Sequence, residues 1–207
     1  MKFVLFVEGH TEKALPSFLG RWLNPQLKQP IGIQAVQFDG AADMIKDMPA
    51  RAERFLNAPK QDVIAVAGLL DLYGLPLIIP ASQKTVTERC AWAKVYLEEQ
   101  VGHPKFKQFF AVHETEAWLL SQPSIFPAAL RTEIANRTHQ PEAVNNQEPP
   151  AKLLQHLYRT KTRSDYKKTV DGANLFADLD PAVAYEKCPH LKAMLDDMLS
   201  LARHFGL

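Results

Sequence analysis

Cysteine is nearly missing from this chain. Cys90 and Cys188 are its two thiols in 207 residues, far apart and without C-x-x-C spacing. That pattern speaks for reduced, incidental thiols rather than a disulfide framework or a thiolate zinc site. An excess of charge is missing too: 24 Lys and Arg against 23 Asp and Glu leave a net charge of +1. No global basic field therefore announces a nucleic-acid partner, and any such binding must come from a local patch. Long hydrophobic runs are absent as well. The opening apolar run, Phe3 to Val7, ends in an acid, unlike a secretory leader, and no window approaches the roughly 20 residues of a membrane span. A cytoplasmic protein with no membrane contact is the expectation. There is no Gly-rich loop of the P-loop kind and no G-x-S-x-G, which lowers P-loop NTPase and serine hydrolase readings.

What is present is a core. The chain is 46% hydrophobic and 23% charged, enough for one ordinary domain, with or without a sizeable appendage. Lys2 to Val7 is apolar and β-favouring, as suits a strand buried on both faces. Glu8 follows, then Gly9 for a sharp turn, then Thr11 as an expected N-cap with Glu12 in the first helical turn. Apolar spacing predicts a helix from Glu12 to Leu23, a strand from Gly32 to Phe38 and a helix from Ala41 to Asn57. Asp62 to Leu72 reads as a central strand broken by one acid, Asp71. A helix over Lys84 to Val101 and a strand over Phe106 to His113 follow, with helix again from Thr115.

Strands alternating with helices in this way predict an α/β fold whose sheet is four-stranded and mostly parallel. The core is expected over 1–122. Residues 123–207 lack a convincing strand and are expected to form a C-terminal helical extension packed on that core. Within it, 123–150 is rich in Pro, Asn and Gln and reads as a loop and short-helix excursion.

Glu8, Asp71 and Glu114 each stand at the carboxyl end of a predicted strand. In a parallel sheet these ends share one edge, so the carboxylates can converge there. Taken singly, each acid is adequately explained as a cap or solvated loop residue, and Glu12 and Glu116 as complements to a helix dipole. Taken together, they suit a hard cation, Mg²⁺ or Mn²⁺, of the kind that assists phosphoryl transfer. His10 sits in the same turn without a spacing that requires it. His113, as the residue before Glu114 on a strand, is expected to face away. Trp22, Trp92 and Trp118 read as core.

Val7-Glu8-Gly9-His10-Thr11-Glu12 resembles the first motif of Toprim domains, the metal-binding fold of topoisomerases, primases and OLD-type nucleases. Together with Asp71-Leu72-Tyr73-Gly74 and His113-Glu114-Thr115-Glu116-Ala117-Trp118, it resembles a bacterial Toprim-like family, domain of unknown function 4276. Pro150-Ala151-Lys152, Tyr166-Lys167-Lys168 and Cys188-Pro189-His190 continue the likeness. The resemblance implies a Toprim-like sheet and a metal set drawn from Glu8, Glu12, Asp71, Glu114 and Glu116. It also implies a Mg²⁺-dependent phosphodiesterase or nuclease acting on nucleic acid, with a place in bacterial defence. The wider Toprim class carries Asp-x-Asp at the third strand, and Tyr73 stands here at the second acid. That departure motivates the alternative, a non-catalytic metal- or nucleic-acid-binding subunit of a multi-protein system. Hydrolysis of a small phosphate ester is a third reading.

Tyr158 to Lys168 holds five cations against one acid, with two tyrosines. A charge run of this kind is ordinarily a solvated surface. Beside a carboxylate site, Lys152 and Lys168 become candidates to neutralise phosphate charge, and the tyrosines to stack on bases.

Overall fold

The computed structural model describes residues 1–9, 11–59, 62–143 and 148–207. Four strands, β1 (Lys2–Val7), β2 (Gly32–Gln37), β3 (Val63–Asp71) and β4 (Phe106–Ala111), form one sheet in the order β2-β1-β3-β4. Every pairing is parallel. Helices α1 (Leu15–Leu23), α2 (Ala41–Leu56) and α3 (Val86–Val101) alternate with the strands. The short α4 (Glu116–Leu119) follows β4. Then come α5 (Ala128–Arg137), α6 (Pro150–Thr162), a π-helical turn (Lys168–Gly172), α7 (Ala173–Asp178), α8 (Pro181–Lys187) and α9 (Pro189–His204). This is the α/β architecture that the strand-helix alternation predicts.

The two-residue period of β1 sorts the core into two layers. Phe3, Leu5 and Val7 join a cluster with α1 and the helices of the C-terminal half, down to Ala202 and Leu207. Val4 and Phe6 face the other way, into a cluster with Met44 and Met48 of α2 and Ala93 and Leu97 of α3. Both sheet faces are thus covered, which is why β1 and β3 read as near-continuous apolar runs.

Three local expectations change. The first helix does not start at a Thr11 cap: Thr11–Ala14 is a 3₁₀ turn, and α1 begins at Leu15 with Pro16 in its first turn. Proline tolerates that place because the missing N–H has no helical partner there. The start of α3 is sharper than its periodicity suggests, because Thr85 and Glu88 form a capping box in which each side chain accepts from the other's backbone N–H. Finally, β4 stops at Ala111, so the alternation that would turn His113 away from Glu114 does not reach it. Among the described residues, no helix is long and apolar enough to cross a membrane.

Gly68 of β3 lies opposite Gln108 of β4. Gln108 is fully buried, and its side-chain amide donates to the Phe109 carbonyl at 2.8 Å. A Cβ at Gly68 would collide with Gln108 Oε1 and stand 3.1 Å from Phe106 Cζ. Gly68→Ala is therefore expected to cost about 1–3 kcal/mol through overpacking. Denaturant unfolding of the single and double variants checks this. The penalty should shrink in a Gln108→Ala background, and an equal penalty in both backgrounds would refute the assigned clash.

Candidate functional site

The strand order reverses between β1 and β3, since β1 pairs with β2 on one side and β3 on the other. Such a switch opens a crevice beyond the carboxyl ends of the strands. Glu8 immediately follows β1, and Asp71 is the last residue of β3. The Asp71 backbone N–H donates to Glu8 Oε1 at 3.2 Å, bringing the two to the same place. The turn after β1 is tied down from the β2 side. Gly40 N–H donates to the Glu8 carbonyl at 3.2 Å, and the Gln37 side-chain amide to the Gly9 carbonyl at 3.0 Å. Gly40 has φ 98°, a region open to glycine and strained for other residues.

The second half of the site comes from the turn after β4. Glu114 Oε2 accepts from the Ala151 N–H at 2.7 Å. Ala151 lies in the first turn of α6, where N–H groups lack helical partners and the dipole favours an anion. Glu114 Oε1 lies 3.4 Å from Lys168 Nζ, and the same ammonium lies 3.1 Å from Glu116 Oε1. Lys168 thus bridges two carboxylates from the π-helical turn, more than fifty residues further along the chain. Glu116 is 1% exposed. Apart from the Lys168 ion pair, Glu116 Oε1 has no hydrogen-bond partner among the described residues, and neither does the buried Tyr166 hydroxyl.

Burial raises the Glu116 carboxyl above the usual range; Lys168 opposes the rise and Glu114 adds to it. Burial disfavours the Lys168 ammonium, but Glu116, Glu114 and, more weakly, Asp71 outweigh it, so this lysine holds its proton more tightly than usual. The Tyr166 hydroxyl is pushed up by burial first and then by Glu116.

These directions set a pH dependence. As the pH rises above 4.5, an unfolded Glu116 releases its proton while the folded one keeps it, so folding loses stability until the raised pKa is passed. Lys168 adds a loss of the same sign at higher pH: its stabilisation is present below 10.5 and disappears as the pH climbs through its raised pKa. Glu116→Gln removes the first effect. Unfolding free energies from pH 4.5 upward should show the wild type losing ground to Glu116→Gln. A difference that is flat with pH would contradict the burial assigned to this carboxyl.

Asp71, Tyr73, Gly74, His113, Glu114 and Pro149 line a cleft of about 350 Å³ at this edge. The Tyr73 ring lies flat against the His113 imidazole, with centroids 4.9 Å apart and planes 5° from parallel. His113, read from sequence as facing away, therefore forms part of the cleft wall. Lys152 is exposed on α6, next to the Ala151 that holds Glu114. The side chains of Glu12 and His10 lie outside the described residues. The basic tract corrects another expectation. Tyr158 and Tyr166 are buried against each other, with ring centroids 5.4 Å apart, so neither offers a face to a base. Arg159 pairs with Asp165 at 3.0 Å on the surface. The Tyr166 hydroxyl beside the acids had no local signal, because its neighbours Glu114 and Glu116 lie some fifty residues earlier.

Among the described residues, no group of three His, Cys, Asp or Glu side chains stands close enough to hold a metal ion. The acids instead meet two by two, Glu8 with the Asp71 backbone and Glu114 with Glu116 across Lys168. The donors are all oxygens, the set that a hard divalent cation takes, and one of them is a buried carboxylate oxygen without a hydrogen bond. The residues fit such an ion chemically, and the place between Glu114 and Glu116 is held by an ammonium.

The family described as a domain of unknown function (DUF4276) matches residues 7–199. Among solved structures, the chain is similar to the C-terminal region of the Burkholderia pseudomallei OLD protein, with 15% identity and a TM-score of 0.43. That comparison covers 93% of this chain and 98% of the other. No curated protein matches the chain.

Proposed function

Because the chain belongs to the family described as a domain of unknown function (DUF4276), which names no activity, we propose its function from the site. The carboxyl edge of the sheet binds Mg²⁺ or Mn²⁺ in a Toprim-like manner and acts on a phosphodiester, as a metal-dependent nuclease or phosphodiesterase. The observation that carries this reading is the crevice at the strand-order reversal. There Glu8 and Asp71 are tied together at 3.2 Å, with Glu114 beyond them in the same edge cleft as Asp71.

In this reading Glu8, Asp71 and Glu114 hold the ion, with Glu12 and Glu116 as outer or second-ion ligands. A divalent ion bound there supplies polarisation of a phosphoryl oxygen and a bound water of lowered pKa. The chain's own contribution is orientation and charge. The α6 N-terminus fixes Glu114, while Lys168, paired with Glu114 and Glu116, and Lys152, exposed on α6 beside Ala151, would steady the developing phosphate charge. Nucleic acid is the proposed substrate class.

A second reading keeps the binding and omits the cleavage. It is favoured by the absence of a three-carboxylate group among the described residues and by Tyr73 lying against His113. A subunit of this kind would serve a multi-protein system.

One experiment separates the readings. Mg²⁺ and Mn²⁺ titration calorimetry is run beside DNA and RNA cleavage for wild type, Glu8→Ala and Asp71→Ala. Metal binding and cleavage that both fail in the folded variants support the nuclease. Metal binding without cleavage supports the binding subunit. Unchanged cleavage in both variants sinks the site.

A further inference from the structure

A second cleft, of about 960 Å³, opens beside the acids, and the two share a wall: Tyr73 and His113 line both. That wall is braced. His113 lies parallel to the Tyr73 ring, and the Arg89 guanidinium of α3 stands 5.4 Å from the ring centre. Tyr73 nevertheless remains 39% exposed. A rigid, half-open aromatic loses little freedom when a flat ligand packs on it.

The rest of the cleft is polar where the Tyr73 side is aromatic. Gln140, Glu186 and His190 offer donors and acceptors, while Val86 and Pro189 supply apolar floor. Glu142 also borders it, but its oxygens are taken by the N–H groups of His190 and Leu191 and by the Trp118 indole. The volume lies in the range of small-molecule sites, roughly 300–1,000 Å³. An aromatic wall facing hydrogen-bonding groups is the arrangement that receives a heteroaromatic ring with polar edges.

We propose that this larger cleft is a nucleobase subsite, taking the base of the nucleotide whose phosphate lies at the acids. The proposal rests on the phosphate site described above and adds a substrate class to it: a nucleotide with its base unstacked. A base reaches a cleft of this kind from a single strand or from a free nucleotide, whereas a paired base must first leave its stack. The sharing of Tyr73 and His113 puts the two subsites side by side, as one nucleotide requires.

The test uses calorimetry on the whole chain in Mg²⁺ with AMP, ribose 5-phosphate, adenosine, and a short oligonucleotide as single strand and as duplex. AMP is expected to bind at least about fivefold more tightly than ribose 5-phosphate, the lower end for one base on an aromatic wall. Tyr73→Ala should erase that difference, while Tyr73→Phe, which keeps the ring, retains it. A single strand that binds more tightly than AMP and than the duplex identifies a polymer substrate; equal affinities for single strand and AMP identify a free nucleotide. Adenosine carries no phosphate and separates the two possible failures. If the acids bind no metal or phosphate, adenosine still binds and Tyr73→Ala still removes it. If metal and ribose 5-phosphate bind but the base adds nothing, the subsite is overturned.

Discussion

On the proposed nuclease reading, Lys168→Met is expected to bind Mg²⁺ about fivefold more tightly than the wild type while cleaving at least about a hundredfold more slowly. The two halves of this result pull in opposite directions, which makes it hard to produce by accident. Lys168 Nζ lies within 3.4 Å of Glu114 and 3.1 Å of Glu116, so a divalent cation drawn to those carboxylates must compete with an ammonium already there. The Lys168 side chain is 40% exposed, so solvent screens much of the interaction, and its removal is worth about 1 kcal/mol of ion affinity rather than the several expected of a buried pair. The loss of rate has a separate origin. With an ion held by the acids, the Lys168 ammonium beside them would be available to offset the charge that develops on a phosphoryl oxygen. Deleting it should lower the rate, with no loss of ion affinity.

Protons complicate the first half in a predictable way. Without Lys168, burial raises the Glu116 carboxyl further, and an ion must displace that proton to use Glu116 as a ligand. The gain in affinity should therefore grow as the pH rises and shrink toward acid. Titration calorimetry at several pH values, with cleavage assays alongside, gives both quantities. Weaker Mg²⁺ binding by Lys168→Met at every pH would show that Lys168 organises the acids rather than occupying the ion's place.

Glu142→Gln is expected to cost about 3 kcal/mol of folding stability, a fall of roughly 6–12 °C in melting temperature for a chain of this size. Glu142 is almost fully buried, and its carboxylate is shared among three donors. His190 N–H reaches Oε2 at 2.7 Å, while Leu191 N–H and the Trp118 indole reach Oε1 at 3.1 and 3.2 Å. Since α9 begins at Pro189, this side chain caps a helix from some fifty residues upstream and pins it to α4. In the amide, one oxygen becomes an NH₂ that faces donors, and at least one of those N–H groups is left buried and unpaired. Burial also raises the Glu142 carboxyl, which the hydrogen bonds from His190, Leu191 and Trp118 and the charge of His190 oppose without cancelling. Denaturant unfolding followed by Trp118 fluorescence measures the cost. A change below about 1 kcal/mol would mean that these donors find water instead.

Much of the arrangement was written locally. Glu8 after an apolar hexamer and Asp71 closing the longest apolar run mark strand ends without any knowledge of the sheet. Strand-helix alternation, read by period alone, gives the four parallel strands. The Thr85-x-x-Glu88 spacing is equally local, a capping-box pattern that the apolar period alone passes over. The partners across long separations were not. Glu116 and Glu114 look equivalent in a line of residues, yet one is 1% exposed while the other's side chain is 22% exposed and lines the cleft. Tyr158 and Tyr166 look like aromatic contacts within a basic tract, and burial against each other removes them from any surface.

Glu8 and Asp71 were thus determined by the sequence itself as acids at strand ends, because hydrophobic period and a terminating charge are properties of neighbouring residues. That they meet is a consequence of the order β2-β1-β3-β4, which sets β1 and β3 side by side and opens the crevice between their ends. The identity of the cation among the acids was likewise a tertiary decision. Only the folded chain carries the π-helical turn back over the sheet edge, and there the electrostatics of three carboxylates selects Lys168 from the many lysines that composition offers.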